Sequence, residues 1–401
     1  MYAIKRELQL NNKEVSQMRG MAGFKRLVYN LGLELLKESW NVPNLKMSDS
    51  KRIDIIKKVF TSVTMKKPEN KWMKNYPSTI YQSAFVDLKN AISRWHKGLS
   101  GFPKKKSKKK GDSFTVYKTA GVYPEKGKPA LPFTNRVTLQ AGKRIKLPGL
   151  KTYRLKERID FICSSQTFTV SSSADKWFVS FVLDAERIPP VIHPIGRVGV
   201  DLGVKCLATV SDGTSYTMPL TTKRAKTKLS KMQWRNRNKV LGNKKLKIKA
   251  SNKARKYYVN LSRQHLKVAN IRQDTIQKMT TDLSRRVYTI RIEDLNVAGM
   301  IANHKLAEAV SNNCFYEIRR QLIYKQAHYG NKVELVDRWY PSSKTCSKCG
   351  HIQEMKLSER VFYCQKCGHS QDRDANASIN LENAPADRVR RASPELTPVD
   401  K

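Results

Sequence analysis

Four cysteines constrain this chain more than any other feature. Cys346-Ser-Lys-Cys349 and Cys364-Gln-Lys-Cys367 are two C-x-x-C knuckles, each followed by a glycine, Gly350 and Gly368. Each knuckle turns tightly enough to aim two thiolates at one point. Two such turns make a closed, tetrahedral four-sulfur site, which suits one structural zinc ion and leaves no open position for catalysis. Cys163, Cys206 and Cys314 are scattered, so the total of seven is odd. That count argues against a disulfide framework. A redox C-x-x-C pair comes singly in a thioredoxin-like setting, so it would not account for two.

Charge comes next. Lys and Arg number 78 against 33 Asp and Glu, a formal +45 over 401 residues. Few folded proteins carry that self-repulsion without a polyanion to neutralise it, and nucleic acid is the first candidate. An anionic membrane is the second, but no run of about 18 apolar residues exists to span a bilayer. The start, "MYAIKRELQLNNKEV", has no apolar h-region, so a cytoplasmic protein is expected. The basic residues are concentrated. "GFPKKKSKKKGDS" reads as a loop offering Lys104, Lys105, Lys106, Lys108, Lys109 and Lys110 to phosphates. From Gly213 to Gln273 there are 18 Lys and Arg and no acid. Trp234, Tyr257, Tyr258, Leu261 and Leu266 are interleaved there, so the stretch reads as a folded, helical element that grips a nucleic-acid backbone. A solvated helix face, or a disordered basic tail, is the bland alternative. Lys244, Lys245, Lys247 and Lys249 are its densest cluster.

The hydrophobic pattern gives a strand at "YAIKRELQL", a helix through Phe24, Leu27, Val28, Leu31 and Leu35, and a second helix over 78–95. Residues 47–69 read as polar and Lys-rich. Strands and turns fill about 113–192, with a hairpin turning at Ala174-Asp175. After 197 come an apolar strand, a second strand and an Asp-Gly turn, then the basic helices. "VYTIRI" is a further strand, followed by a helix over about 312–329, the strand in "NKVELV", the cysteine module and a short helix over 374–383.

Three acids stand out against that background. Asp201 ends the apolar run "VGV", Glu293 ends "YTIRI", and Asp374 lies where "DRDANASIN" enters a helix. A carboxylate at the end of a buried strand gains nothing from its surroundings. For Asp374 a plain N-cap role is the competing reading. Taken together, the order strand-Asp, hairpin, helices, strand-Glu, helix, strand, Asp predicts an α/β, RNase H-like unit: a mixed sheet flanked by helices. Converged carboxylates repel one another, and divalent cations relieve the repulsion. Two magnesium ions about 3.5–4 Å apart would activate water and stabilise a leaving oxygen. Magnesium prefers such oxygen ligands, completed by water and substrate phosphate.

"VGVDLGVKCLATVSDG", "IRIEDLNVAGM", "YPSSKTCSKCG" with "FYCQKCG" and "DRDANASINL", and "AGFKRLVYN" near the start together resemble the TnpB family, transposon-encoded RNA-guided endonucleases related to the type V CRISPR effectors. The likeness covers 20–40 and 195–385 well and 41–195 by layout only. It implies a bilobed, multidomain α/β protein. A β-barrel-like wedge domain would take 1–11 and 101–192, and a helical recognition domain 12–100. A RuvC nuclease would take 193–340 and 371–383, a zinc ribbon 341–370, and a disordered tail 384–401. It implies Asp201, Glu293 and Asp374 as the catalytic, magnesium-binding triad, Asp372 as a neighbour, and Cys346, Cys349, Cys364 and Cys367 as the zinc ligands. Gln82, in "YQSAFVDL", matches a helix that reads the motif flanking the target. The implied partners are a noncoding guide RNA from the transposon end and double-stranded target DNA, engaged by one copy of the chain, near the nucleoid of a bacterium or archaeon. Base pairing would read sequence and the protein only duplex shape and the adjacent motif.

Two other functions use similar parts. A DNA transposase also employs an RNase H fold with an acidic triad, although the ribbon between the second and third acids argues against it. A nuclease-inactive guided repressor would need no triad, and here all three acids are present.

Overall fold

A computed structural model describes residues 2–42, 47–108, 111–117, 137–139, 141–160, 163–165, 167–183, 191–203, 206–242, 248–302, 314–356 and 359–392. The chain divides into two compact units, 1–186 and 187–401. No described helix is long and apolar enough to cross a membrane.

The first unit opens with β1 (Tyr2–Gln9), followed by α1 (Asn12–Trp40), α2 (Asp49–Ser62) and α3 (Ser78–His96). Strands follow: β2 (Ser113–Tyr117), β3 (Val137–Leu139), β4 (Gly142–Lys146), β5 (Thr152–Ile159), β6 (Cys163–Ser165), β7 (Thr167–Ser173) and β8 (Lys176–Leu183). Six of them form an antiparallel sheet, ordered β2-β7-β8-β1-β5-β4, so the first strand sits in its middle. The helices are an insertion between β1 and β2. A capping box between Asn11 and Glu14 starts α1, satisfying orphan N–H groups reciprocally. Its apolar stripe, including Met18, Phe24, Val28 and Leu36, is buried with Ile80, Phe85, Leu88 and Ile92 of α3. α2 was not expected in the Lys-rich 47–69 stretch. Ile53, Ile56 and Phe60 provide a buried face at helical spacing, while exposed Ile55 and Val59 blur its periodicity. The β7–β8 hairpin turns on Ala174 and Asp175, both at positive φ (49° and 65°), the backbone of a two-residue primed turn.

The second unit contains β9 (Ile195–Asp201), β10 (Ala208–Val210), β11 (Ser215–Tyr216), α4 (Leu220–Arg235), α5 (Asn252–Arg286), β12 (Val287–Glu293) and α6 (Val297–Ala302). It continues with α7 (Phe315–Tyr329), β13 (Lys332–Val336), β14 (Val361–Tyr363), β15 (Ser370–Asp372), α8 (Arg373–Glu382) and β16 (Val389–Arg391). Its sheet is mixed, as expected, in the order β11-β10-β9-β12-β13-β16. β9, β12 and β13 are parallel, while β10 and β16 run antiparallel to their neighbours. The parallel strands are apolar runs (Val198, Val200, Ile290, Ile292, Val333, Leu335) packed beneath Ile276, Met279 and Leu283 of α5 and Ile318 and Leu322 of α7, the composition of strands covered by helices.

The expected disordered tail is corrected at its start. Residues 384–392 are folded: Val389 pairs with Val336 and Arg391 with Glu334. A strand of three residues completed only by a partner some 55 residues upstream leaves almost no local periodicity. Residues 393–401 lie outside the described set.

The acid-free stretch forms α4 and most of α5, packed on each other. Contact between two such basic helices is made by small and polar groups: Thr222 and Ala225 of α4 are buried, and the Gln264 side chain of α5 donates to the Ala225 carbonyl at 2.8 Å. The charged ends thereby stay at the surface.

Candidate active site and metal centre

The two knuckles fold alike. In the first, Gly350 N–H donates to Cys346 O (2.9 Å) and Cys346 N–H to His351 O (2.8 Å); in the second, Gly368 N–H donates to Cys364 O (3.0 Å) and Cys364 N–H to His369 O (2.8 Å). Gly350 and Gly368 sit at φ 73° and 68°, a left-handed turn that favours glycine. The four Sγ atoms lie within 4.8 Å of one another. Cys346–Cys367 and Cys349–Cys364 are 3.7 and 3.6 Å apart. With metal–sulfur bonds of about 2.3 Å, a tetrahedron has sulfur–sulfur edges of about 3.8 Å. The spacing therefore fits one four-coordinate ion and is far too long for disulfides.

The acids arise from the sheet. Asp201 is the last residue of β9 and Glu293 the last of β12. These strands are parallel neighbours, with Ile292 in register with Val200, so both carboxylates emerge at the same edge. Asp374 is in the first turn of α8. Capping of that helix falls to Asp372, whose Oδ1 accepts from the N–H groups of Asp374 (3.0 Å) and Ala375 (3.2 Å). The neighbour thus does the work that competed for Asp374, whose carboxylate pairs, among the described residues, with the adjacent Arg373 guanidinium at 3.3 Å. Helix α8 lies directly on β9 at Gly199, where an added Cβ would stand 2.0 Å from Ser378 O and 2.4 Å from Glu382 N. Asp374 Oδ2 lies 3.8 Å from where a Cβ on Gly203, two residues past Asp201, would sit.

The electrostatics register this convergence. Burial, then the charges of Asp374 and Glu293, push the Asp201 carboxyl up to about 7. Burial, then Asp294, push Glu293 up to about 7. Among the described residues, the cysteines are the only group of such ligands all within 4.8 Å of one another, so the acids stand more widely than a one-ion cage. Carboxylates shared between two ions about 3.5–4 Å apart would also be spread more widely than that.

Several supports were not anticipated. Asn376, fully buried, accepts from Ser347 N (2.9 Å) and donates to Thr345 O (2.8 Å), and Asn380 donates to Ser342 O (2.8 Å) and Thr345 O (2.6 Å). These two residues, one helical turn apart, bolt the first knuckle to the helix that carries Asp374. Their i,i+4 spacing in "DANASIN" is a signal the sequence did contain. Arg291, within the buried part of β12, donates to Glu382 O and Ala384 O, both at 2.8 Å, and pairs with Glu334 at 2.8 Å. It thereby closes the other end of α8. A charge inside an apolar strand was its only sequence mark.

The basic candidates divide. Lys106 is held by Asp87 at 2.9 Å and lies 4.1 Å over the Tyr29 ring, and Lys105 pairs with Glu34 at 3.1 Å. Lys106 is thus committed to packing this loop on α1 rather than offered to a phosphate. Lys104, Lys108 and Lys249 are exposed. Lys109, Lys110, Lys244, Lys245 and Lys247 lie outside the described residues. Along α4 an open groove of about 610 Å³ is lined by Lys223, Arg224, Lys228, Lys231 and Arg235. Gln82 lies on α3, where its Oε1 accepts from the Tyr117 hydroxyl at 2.8 Å.

Residues 180–304 match the OrfB_IS605 family, described as a probable transposase, and residues 315–381 match the Cas12f1-like TNB domain. A protein of Escherichia coli (strain K12), provisionally named RNA-guided DNA endonuclease InsQ, is 31% identical over 94% of this chain and 91% of its own. A protein of Streptomyces pristinaespiralis with the same provisional activity in its name is 29% identical over 94% of this chain and 88% of its own. Among solved structures, Cas12f1 in a complex with single-guide RNA and target DNA superposes with a TM-score of 0.54 at 16% identity, over 93% of this chain and 83% of that one. At that identity the likeness concerns the fold.

Proposed function

The chain belongs to the TnpB family, and from that membership we propose that it is an RNA-guided DNA endonuclease of an insertion sequence, hydrolysing phosphodiesters next to a short transposon-associated motif. The observation that carries the reading is local. Asp201 and Glu293 end two adjacent parallel strands at one sheet edge, and α8, laid on β9 at Gly199, brings the first-turn carboxylate of Asp374 to them. The carboxyl edge of parallel strands is where such sheets place their ligands.

The donor set is all carboxylate, which fits magnesium. Two ions held by Asp201, Glu293 and Asp374 would supply water activation and stabilisation of the departing oxygen. The residues themselves do the remaining work. Arg291 and the Asn376–Asn380 pair hold α8 at both ends, and Asp372 frees Asp374 from capping. Asp294, beside Glu293, is occupied by Arg319 and Arg390, each at 2.6 Å, and so is turned to structure rather than ligation. The four cysteines are assigned to zinc, whose role is to keep the ribbon and α8 in one arrangement.

In this reading the first unit supplies the wedge domain through its antiparallel sheet and the recognition domain through α1–α3. The basic α4–α5 pair holds a guide RNA and its paired target. Base pairing selects the site and the protein reads backbone and adjacent motif.

The test is to purify the protein with its copurifying RNA, sequence that RNA, and offer a guide-matched duplex with magnesium. Wild type should cut. Asp201→Ala, Glu293→Ala and Asp374→Ala should each bring cleavage below detection with guided binding intact. Guided binding by wild type without any cutting would favour a repressor. The transposase description of the matched family keeps strand transfer as the second reading, and joining of transposon ends by the protein would favour it.

A further inference from the structure

Trp339 is 82% exposed, more than Trp234 at 67%. Exposing an indole to water forgoes the stabilisation of one of the most apolar side chains, and nothing about folding calls for it here. The side chain is nevertheless presented from a fixed turn. Trp339 N–H donates to Asp337 Oδ1 (2.8 Å), Tyr340 N–H to Asp337 O (3.0 Å), and Asp337 N–H to Arg388 O (2.8 Å). Among the described residues no cation or aromatic ring covers it, whereas Trp234 has the Arg237 guanidinium 4.8 Å over its face.

Its place is specific. β13 ends at Val336, which is in register with Glu293 on the parallel strand β12. Strands lie about 4.8 Å apart, and three further residues span at most about 10 Å. Trp339 therefore stands within about 15 Å of Glu293, just beyond the sheet edge that carries Asp201. Two partly exposed cations belong to the same turn region, each in a long ion pair: Arg338, the preceding residue, 3.7 Å from Asp294, and Arg388, 3.9 Å from Asp337 and 3.6 Å from Asp387. An exposed flat ring in a cation-bearing turn, next to an acidic strand edge, has the composition of a single-strand platform: an aromatic face for a base, and guanidinium groups whose five donors exceed what these long ion pairs use, for its phosphates.

Resting on the endonuclease reading above, we propose that Trp339 stacks on a base of the DNA strand being cut, close to the scissile phosphate, and so places that phosphate at Asp201, Glu293 and Asp374. It is a substrate-positioning contact that acts after the guide has paired.

The experiment uses the assembled ribonucleoprotein with magnesium and measures single-turnover cleavage of a guide-matched duplex. A single abasic nucleotide is moved along the cut strand around the cleavage point. Wild type should be slowed about 5- to 150-fold at one or two positions, the range expected when one base–aromatic stack is removed. Trp339→Ala and Trp339→Leu, which keeps apolar bulk without the ring, should cut the intact target slower by a similar factor and lose the position-specific penalty. Trp339→Phe should retain the rate within a few-fold and keep the penalty. Guided DNA binding should be unchanged in all three. A Trp339→Leu rate equal to wild type, an abasic profile identical in the Leu variant and wild type, or a profile that responds only to abasic positions in the guide RNA would each overturn the proposal. A wild-type complex that binds but cuts no matched target would instead refute the endonuclease reading on which it rests.

Discussion

Gly199→Ala tests whether the placement of α8 on β9 sets activity. An added Cβ would sit 2.0 Å from the Ser378 carbonyl oxygen and 2.4 Å from the Glu382 nitrogen, and 3.4 Å is the lower edge of ordinary contact. Both opposing atoms are backbone, so no rotamer change relieves the overlap. The helix must retreat by about 1.4 Å, the difference between 2.0 and 3.4 Å. Asp374 lies one turn from Ser378 on the same rigid helix and moves with it. A misplacement of about 1 Å in a reacting constellation costs on the order of 10²-fold, and overpacking a well-filled contact costs about 1–3 kcal/mol. The variant should therefore fold with a lower melting temperature, retain zinc and guided DNA binding, and cut a matched target on the order of 100-fold more slowly. Gly196→Ala on the same strand is the control, because its added Cβ meets open space, and it should behave as wild type. If Gly199→Ala cuts within about threefold of wild type while Gly196→Ala does too, the helix contact does not set the position of Asp374.

Cys349→Ser should remove zinc, lower the melting temperature and slow cleavage together, since a structural zinc contributes folding energy and the first knuckle is bonded to α8 through Asn376 and Asn380; metal analysis and thermal melts check this, and normal stability without zinc would refute it. Replacing Lys244, Lys245, Lys247 and Lys249 by Ala should flatten the salt dependence of nucleic-acid binding by up to about four units of slope, one for each phosphate no longer neutralised; an unchanged slope would return this segment to a merely solvated surface. Asp201 and Glu293 are pushed up to about 7 from 3.8 and 4.5, so the stability they contribute is complete below about pH 4 and is lost as pH rises through 7. In magnesium-free buffer the second unit should thus melt lower at pH 8 than at pH 6, and added magnesium should raise the melting temperature more at pH 8, where no protons need be displaced. A magnesium-induced shift that is equal at both pH values would show that these carboxylates do not hold the ions.

Features written in a few neighbouring residues were legible in the sequence alone. The cysteine knuckles are such a feature, because C-x-x-C-Gly dictates its own turn, and so are the Ala174-Asp175 hairpin and the acids closing the apolar strands of β9 and β12. Asp201 and Glu293 stood out because a carboxylate ending a buried strand conflicts with its surroundings wherever the strand goes, whereas Asp374, their proposed partner, sits at a helix start where no such conflict marks it. Other features depended on partners far along the chain. Lys106 looked identical to the lysines around it until the fold set Asp87 and Tyr29 against it. Capping competed with ligation for Asp374, with Asp372 read as a neighbour, and the backbone geometry at the entry to α8 gives the cap to Asp372. Three residues of β16 became a strand only because the edge of β13 was open to them. Gly199 is one glycine among 19 in the sequence, and the need for it arises from a helix nearly 180 residues later. Short-range periodicity and turn chemistry belong to the sequence. Which cation is spent on packing, and how closely a helix approaches a strand, are decided by contacts that exist only once the chain has closed on itself.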